Sequence, residues 1–415
     1  YQNNFLIPVA LFGDTSFNKD TLRKLVSSGN SEIPGASTIN FDEISKQKIF
    51  DSISNSNLQT KKDLIKDYQI LKSRIGRIPT MVDFLENNSR DPIQFVTYSN
   101  SYFEFVKSVE KDFDINLDPS NLKLLEIFSR DINNGLSFFD VFLIKVIIEE
   151  KSIYAENLQK KIREKLDINF DINSISFILN ILNLNYFIER KDNQRIPLRN
   201  IYDFEIVKFN DNKISIGSSL KKALQEKVFY KYFNDSIDYA LRTFEDKFRK
   251  TDFVDGFLRY EKYTRRDIHK ILNWSIEPIH QNVGGYKVSD DSKNCPIFIT
   301  YKKSENIKYT SKYEDKFINK NTLEWFSKQK RTLKSNDVQE IINSKENKMI
   351  LPLFLKKDDN EGKEFYFLGN LEVDKNSVEE TIIEDKKNNK SQKLVKMKMY
   401  LDKPVEENLY KYLIN

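Results

Sequence analysis

Cysteine is almost missing from this chain: Cys295 is the only one in 415 residues. A lone thiol excludes an intrachain disulfide framework and fits a reducing compartment. Histidine is nearly as scarce, at His269 and His280, so Cys and His together offer at most three ligands, short of the usual four-ligand structural zinc site. The eleven glycines form neither G-x-G-x-x-G nor G-x-x-x-x-G-K-[ST], so no phosphate-cradling loop is evident and no cofactor is expected. Long apolar runs are lacking too. Apolar stretches such as Phe5 to Phe12 and that near Phe142 to Ile148 fall far short of the roughly eighteen residues a membrane span needs. The opening Tyr1-Gln2-Asn3-Asn4 has no initiator Met and no basic segment, and reads as the trimmed end of something longer. These absences predict a soluble, cytoplasmic protein of two or three domains, with 39% hydrophobic residues to fill their cores.

The net charge of +5 says little, but its distribution says more. Between Lys293 and Lys334, eleven Lys/Arg stand against four Asp/Glu, a local balance of 11 − 4 = +7. Phe298, Tyr301, Tyr309, Tyr313, Phe317, Trp325 and Phe326 are interleaved with them. Cations neutralise phosphates and aromatic faces stack on bases, so the mixture suits a nucleic-acid surface. It suits equally a solvated sheet surface in a chain rich in Lys and Asn throughout.

Periodicity divides the chain into three parts and predicts an α+β fold. Residues 1–115 read as mostly helical after a short apolar run, Phe5 to Phe12, that has the length of a buried strand. Leu64, Tyr68, Leu71 and Ile75 mark one helical stripe, and Pro79-Thr80-Met81 restarts a helix. Residues 116–250 carry helical patterns at Asn121 to Arg130, Ser137 to Glu149, Ala155 to Leu166 and Ser174 to Leu184. Strand-like segments with turns at Asp192-Asn193 and Asn210-Asp211-Asn212 follow, and Leu220 to Lys250 reads as one helix. Helices followed by strands predict a winged-helix-like middle. Ser174 to Leu184 would be its recognition helix, with Lys191, Arg195 and Arg199 near the wing. That helix holds no Lys or Arg, so a winged helix used only for domain packing fits equally. Residues 251–415 show short β-type runs, with a hairpin through Asp358-Asp359-Asn360-Glu361-Gly362. A small β-barrel or curved sheet is expected, flanked by a helix from Thr264 to Trp274 with Thr264 as N-cap and Asp267 at N3. Lys386 to Ser391 reads as a flexible hairpin tip.

No catalytic constellation is recognisable. Glu361-Gly362-Lys363 has the letters of a nuclease E-x-K, but it falls in the expected turn, away from any Asp on a neighbouring strand. Denser chemistry lies in Arg259-Tyr260-Glu261-Lys262-Tyr263-Thr264-Arg265-Arg266-Asp267. Arg259, Arg265 and Arg266 can form a cationic rim that Lys302, Lys303, Lys328 and Arg331 extend. Tyr260, Tyr263, Tyr286 and Trp325 can form an aromatic wall. On this expectation Arg265 and Arg266 share a groove with the Trp325 segment. The alternative is that Glu261 and Asp267 tie the arginines into a structural network.

These residues also carry a resemblance. Asp255 to Asp267, Asn273-Trp274, Val283-Gly284-Gly285-Tyr286, Pro296 to Tyr301, Tyr313 to Phe317, Trp325-Phe326-Ser327-Lys328, Phe365 to Gly369 and Leu401-Asp402-Lys403-Pro404 resemble an uncharacterised C-terminal domain family. That family sits behind the motor of bacterial DEAD/DEAH-box superfamily 2 helicases, often with a phospholipase-D-type nuclease in front. Where many relatives carry Gln in the Trp motif, this chain has Phe326. Asn3 to Asp14 and Ile33 to Asp42 are similar to the stretch just after such a motor. The resemblance implies a DNA-binding accessory region of a restriction or phage-defence helicase, with DNA and the motor and nuclease domains of a longer parent chain as partners. Neither ATPase nor nuclease motifs are present, so those activities do not carry over. A hidden nuclease around Glu361 and a protein-interaction or autoinhibitory scaffold are the competing expectations.

Overall fold

The computed structural model describes residues 61–302, 315–385 and 390–414. The strand expected at Phe5 to Phe12, every element expected before residue 61, Lys303 and the tip at 386–389 lie outside them. Two compact units emerge, and among the described residues they comprise 61–250 with 269–277, and 251–268 with 278–414. Residues 61–115 and 116–250 fall in the same unit, and the chain leaves it at Lys250/Thr251. Among the described residues no helix is long and apolar enough to cross a membrane.

The first unit opens with α1 (Lys61–Ile75), whose stripe of Leu64, Tyr68 and Leu71 is buried. Then come α2 (Met81–Glu86), α3 (Ile93–Ser99) and α4 (Tyr102–Val109). Thr80 and Asp83 form a reciprocal capping box at the start of α2, satisfying N–H groups that have no helical partner. Phe84, Phe95, Tyr102 and Phe105 meet behind it, with Phe95 and Phe105 ring centroids 4.4 Å apart. Next come α5 (Pro119–Ile127), a π-helical turn at Phe128–Ile132, α6 (Phe139–Glu150), β1 (Ser152–Tyr154), α7 (Ala155–Leu166) and α8 (Ile175–Leu182). A hairpin, β2 (Ile188–Lys191) and β3 (Gln194–Pro197), precedes α9 (Leu198–Tyr202), β4 (Val207–Asn210) and β5 (Lys213–Ile216). The three-stranded sheet runs β1–β5–β4, antiparallel throughout.

The helix expected from Leu220 to Lys250 is two helices, α10 (Ser218–Ala223) and α11 (Lys227–Phe248). Glu226 breaks them: its backbone is extended, and its carboxylate accepts from Asn121 Nδ2 at 2.7 Å.

The second unit contains β6 (Phe253–Val254), β7 (Phe257–Leu258), β8 (Lys262–Thr264), α12 (Arg265–Ile271), whose residues from His269 group with the first unit, and α13 (His280–Val283). Thereafter come β9 (Ile297–Lys302), β10 (Lys316–Asn319), β11 (Thr322–Phe326), α14 (Asn336–Ile342), β12 (Pro352–Asp358), β13 (Glu364–Val373), β14 (Glu379–Asp385), β15 (Lys390–Leu401) and α15 (Glu407–Ile414). Eight strands make one nearly closed, barrel-like sheet in the order β10–β11–β15–β13–β12–β9, with β14 on β15 and β8 on β13. Its curvature comes from β13. The first half of β13 pairs with β8 and its last residues with β15, and β12 changes register between Leu353 and Phe354 opposite the bend. Gly369 sits at that bend with φ +129°, a conformation that favours glycine.

Phe257, Tyr263, Phe354 and Phe367 fill the interior beside β13, the Phe257–Phe354 and Phe257–Phe367 centroids both 5.1 Å apart. Lys390 and Ser391, expected in a flexible tip, belong to β15 and pair with Asp385 and Glu384. The acid-rich β14 gives no strand signal in sequence because Glu and Asp are poor strand formers. Its pairing places Glu379 opposite Lys396, an ion pair at 3.6 Å.

Candidate functional site

The helix α12 begins as its sequence dictates: Thr264 Oγ1 accepts from Asp267 N at 3.2 Å, and the Asp267 carboxylate accepts from Thr264 N at 3.2 Å. The arginines and tyrosines around it go to different places. Arg259 is 3% exposed and turns inward. Its Nη1 donates to Leu368 O at 2.6 Å, and its fork meets Asp402 at 2.7 and 3.1 Å. Tyr263 is fully buried in the aromatic interior, its hydroxyl accepting from Leu258 N at 2.8 Å. Tyr260 is half-buried and accepts from Glu406 N at 3.2 Å. Arg265 lies on the Phe298 ring, 4.2 Å from its centroid, and 5.4 Å from that of Phe365. Burial pulls its guanidinium down to about 10. Arg266 is half-buried, and Lys302 is exposed at the end of β9, in register with Asp358.

Four of the expected residues do meet. Trp325, on β11 and 2% exposed, packs edge-on against Tyr286 at 5.1 Å. Tyr286 donates its hydroxyl proton to Asp337 Oδ2 at 3.0 Å, in the first turn of α14. The same carboxylate accepts from Arg331 Nε at 2.7 Å. Lys328 Nζ stands 4.7 Å from the Tyr286 ring centroid, a cation–π contact. Tyr286, Lys328, Arg331 and Asp337 open onto a groove of about 690 Å³. Its far wall is the loop Lys287 to Ser292, where Ser289 Oγ accepts from Lys293 N and Asn294 N, both at 3.1 Å. Arg265 and Arg266 do not line it.

The groove's charges are unevenly satisfied. Asp337 is committed to Arg331 and Tyr286. Lys287 and Asp290 approach each other at 4.0 Å. Lys328 is half-buried, and among the described residues its ammonium makes neither a hydrogen bond nor an ion pair. Burial moves its pKa down from the usual lysine value, with Asp337 opposing that shift. Gly284 beside it has φ +58°, a backbone conformation that favours glycine. The lining as a whole is charge-balanced, with Lys287, Lys328 and Arg331 against Asp290, Asp337 and Glu340, and among the described residues Lys328 is the one of these three cations that forms no ion pair. Asp337 escaped sequence reasoning, although Ser335-Asn336-Asp337 carries a helix-start pattern.

The E-x-K of the hairpin is engaged otherwise. Glu361 holds the Tyr412 hydroxyl and accepts from Lys357 N at 3.2 Å. Among the described residues no three His, Cys, Asp or Glu side chains converge as metal ligands would.

Residues 257–413 match the family described as Domain of unknown function (DUF3427), and residues 64–247 match Domain of unknown function (DUF8090). No curated protein matches the sequence. Among solved structures, one described as the sulfur binding domain and SRA domain of ScoMcrA complexed with phosphorothioated DNA is similar at 9% identity. The alignment covers 66% of this chain and 87% of that one, with a TM-score of 0.26. The Type IV phosphorothioation-dependent restriction endonuclease ScoMcrA is similar at 8% identity, over 74% of this chain and 59% of that one, with a TM-score of 0.27. Overlaps this weak do not establish a shared fold. The first family match begins two residues after Asp255, and so spans nearly all the motifs that carry the resemblance stated from sequence.

Proposed function

We propose that this chain is a DNA-binding accessory region of a bacterial restriction or phage-defence helicase, holding DNA for a motor and nuclease carried elsewhere. The observation that supports it is Lys328, half-buried over Tyr286 beside Arg331, whose ammonium forms no ion pair among the described residues and lines a groove of about 690 Å³. The link to a helicase rests on the motif resemblance alone. The test is anisotropy of labelled single- and double-stranded DNA across a salt series. Binding should weaken linearly in log–log form with salt, and Lys328→Ala should lower the slope by about one unit. Absence of binding at low salt overturns the reading.

A second reading, an interaction scaffold, is favoured by one observation in the first unit. The element order α6–β1–α7–α8–β4–β5, with β5 between β1 and β4, is what a winged helix requires, and we read it so. Its recognition helix would be α8. Yet Asn180 Nδ2 on α8 donates to Ser275 O at 2.6 Å, and Glu277 N donates to Tyr186 O at 2.9 Å. The surface a duplex would use is partly taken by residues 275–277. Co-purification of a protein partner without DNA affinity would favour the scaffold.

A further inference from the structure

The β2–β3 hairpin carries an arrangement that folding alone does not favour. Arg190 and Arg195 are directly opposite in its register, and both are exposed. Like charges directly opposite across a strand pair destabilise it. Side chains alternate between faces, so Arg190 and Arg195 share one face with Ile188 and Pro197. Glu189, Lys191, Gln194 and Ile196 take the other, where Glu189 and Lys191 offset each other. The acid nearest in sequence, Asp192, is in the turn. Asp192 and Asn193 have φ of 51° and 61°, the left-handed pair of a tight two-residue turn, so the strands cannot splay to separate the arginines. Arg195 is further held by donating to Glu277 O. Among the described residues the Arg190 guanidinium makes no hydrogen bond and no ion pair.

We propose that this hairpin is a phosphate grip, in which Arg190 and Arg195 close on the backbone of duplex DNA. Two guanidinium groups on one face at cross-strand spacing can each take phosphate oxygens, and a phosphate bound between them offsets their repulsion. The proposal rests on the DNA reading for its ligand class but not for its residues, which lie in the other unit from Lys328.

The decisive variant is Arg190→Glu in the full chain, since Glu opposite Arg195 forms a favourable cross-strand pair. Its urea midpoint should equal or exceed that of the parent. Its affinity for a labelled duplex should fall about tenfold or more, and its salt slope by about one unit or more. Should Arg190→Glu fail to fold, Arg190→Gln provides the same readout. Unchanged affinity and slope in a folded variant overturn the grip. If Lys328→Ala then still weakens binding, the DNA reading survives without the hairpin; if neither variant matters, both fall. Inorganic phosphate at matched ionic strength should not displace the duplex. Displacement would assign the two arginines to free phosphate and overturn the backbone proposal.

Discussion

Arg259→Ala is the substitution on which a ligand-binding and a structural role differ most. The side chain is 3% exposed, and its removal affects three groups. Leu368 O, on a fully buried residue, loses the donor at 2.6 Å. An orphaned buried acceptor costs about 1–3 kcal/mol. Asp402 loses a two-pronged partner, but its side chain is 33% exposed and still accepts from Lys403 N at 2.9 Å, so water recovers part of that loss. Asp252, 3.3 Å from Arg259 Nε, keeps Lys403 at 2.7 Å. The total is therefore about 2–4 kcal/mol, at or below the roughly 3–5 kcal/mol for breaking a wholly buried pair. Arg259→Lys keeps the charge but not the fork, and should recover less than half. Trp325, buried in this unit, reports the urea transition in a Trp274→Phe background. Salt-dependent DNA affinity of the fraction that remains folded should be unchanged. A loss below about 1 kcal/mol, together with a lowered salt slope, would refute the reasoning and return Arg259 to the ligand-facing rim.

Gly369→Ala should cost at least about 3 kcal/mol, because a Cβ would lie 2.2 Å from both Arg259 Nη1 and Asp402 Oδ1 at a φ of +129°; loss of the Trp325 transition at moderate urea is the readout. Thr264→Ala should cost about 1 kcal/mol through the lost cap of α12, measured by the same transition, with Thr264→Ser restoring most of it. Asp235 accepts from Met81 N at 2.8 Å, and burial raises its pKa to about 6. Because the folded value exceeds the unfolded one, its contribution is fully present below the ordinary aspartate value of 3.8 and is lost as pH rises through about 6. Asp235→Asn should therefore stabilise the first unit at pH 7 and remove this residue's pH dependence, checked by urea midpoints at pH 5 and 7.

Features set within a few residues were readable from sequence. The helix restart at Pro79-Thr80-Met81, the capping pair at Thr264, the turn at Asp192-Asn193 and the strand near Val395 to Tyr400 depend on neighbours three or fewer positions away, and they fold as their chemistry suggests. What failed to show depends on distance along the chain. Arg259 finds Asp402 143 positions later, and no local pattern distinguishes an arginine with such a partner from one awaiting a phosphate. The alternation that made Arg259 to Asp267 look like a ligand surface also suits a strand entering a barrel, where each second side chain must face inward. Hence Tyr263 fills the interior. Trp325 and Tyr286 came together for the opposite reason: both are large aromatics on paired structure, and burial alone brings such side chains into contact.

The same logic separates functional cations from structural ones more sharply than density does. A cation that helps the fold should have its acid nearby, as Arg331 has Asp337 and Lys396 has Glu324 at 3.0 Å. Lys328 and Arg190 depart from that rule in opposite environments. One is desolvated against a ring, with Asp337 near but, among the described residues, no ion pair. The other is exposed but held opposite a like charge. Each lowers the stability of the free protein, and each disadvantage disappears when an anion binds. Removing either charge should therefore leave the free protein as stable or more so while weakening DNA binding, whereas removing Arg259 should do the reverse. Neutralising both should add, because they lie in different units and share no partner. The double variant Arg190→Gln, Lys328→Met should lower the salt slope by about two units. A slope no lower than that of either single variant would mean that the two cations contact the same phosphate, or that one of them contacts none.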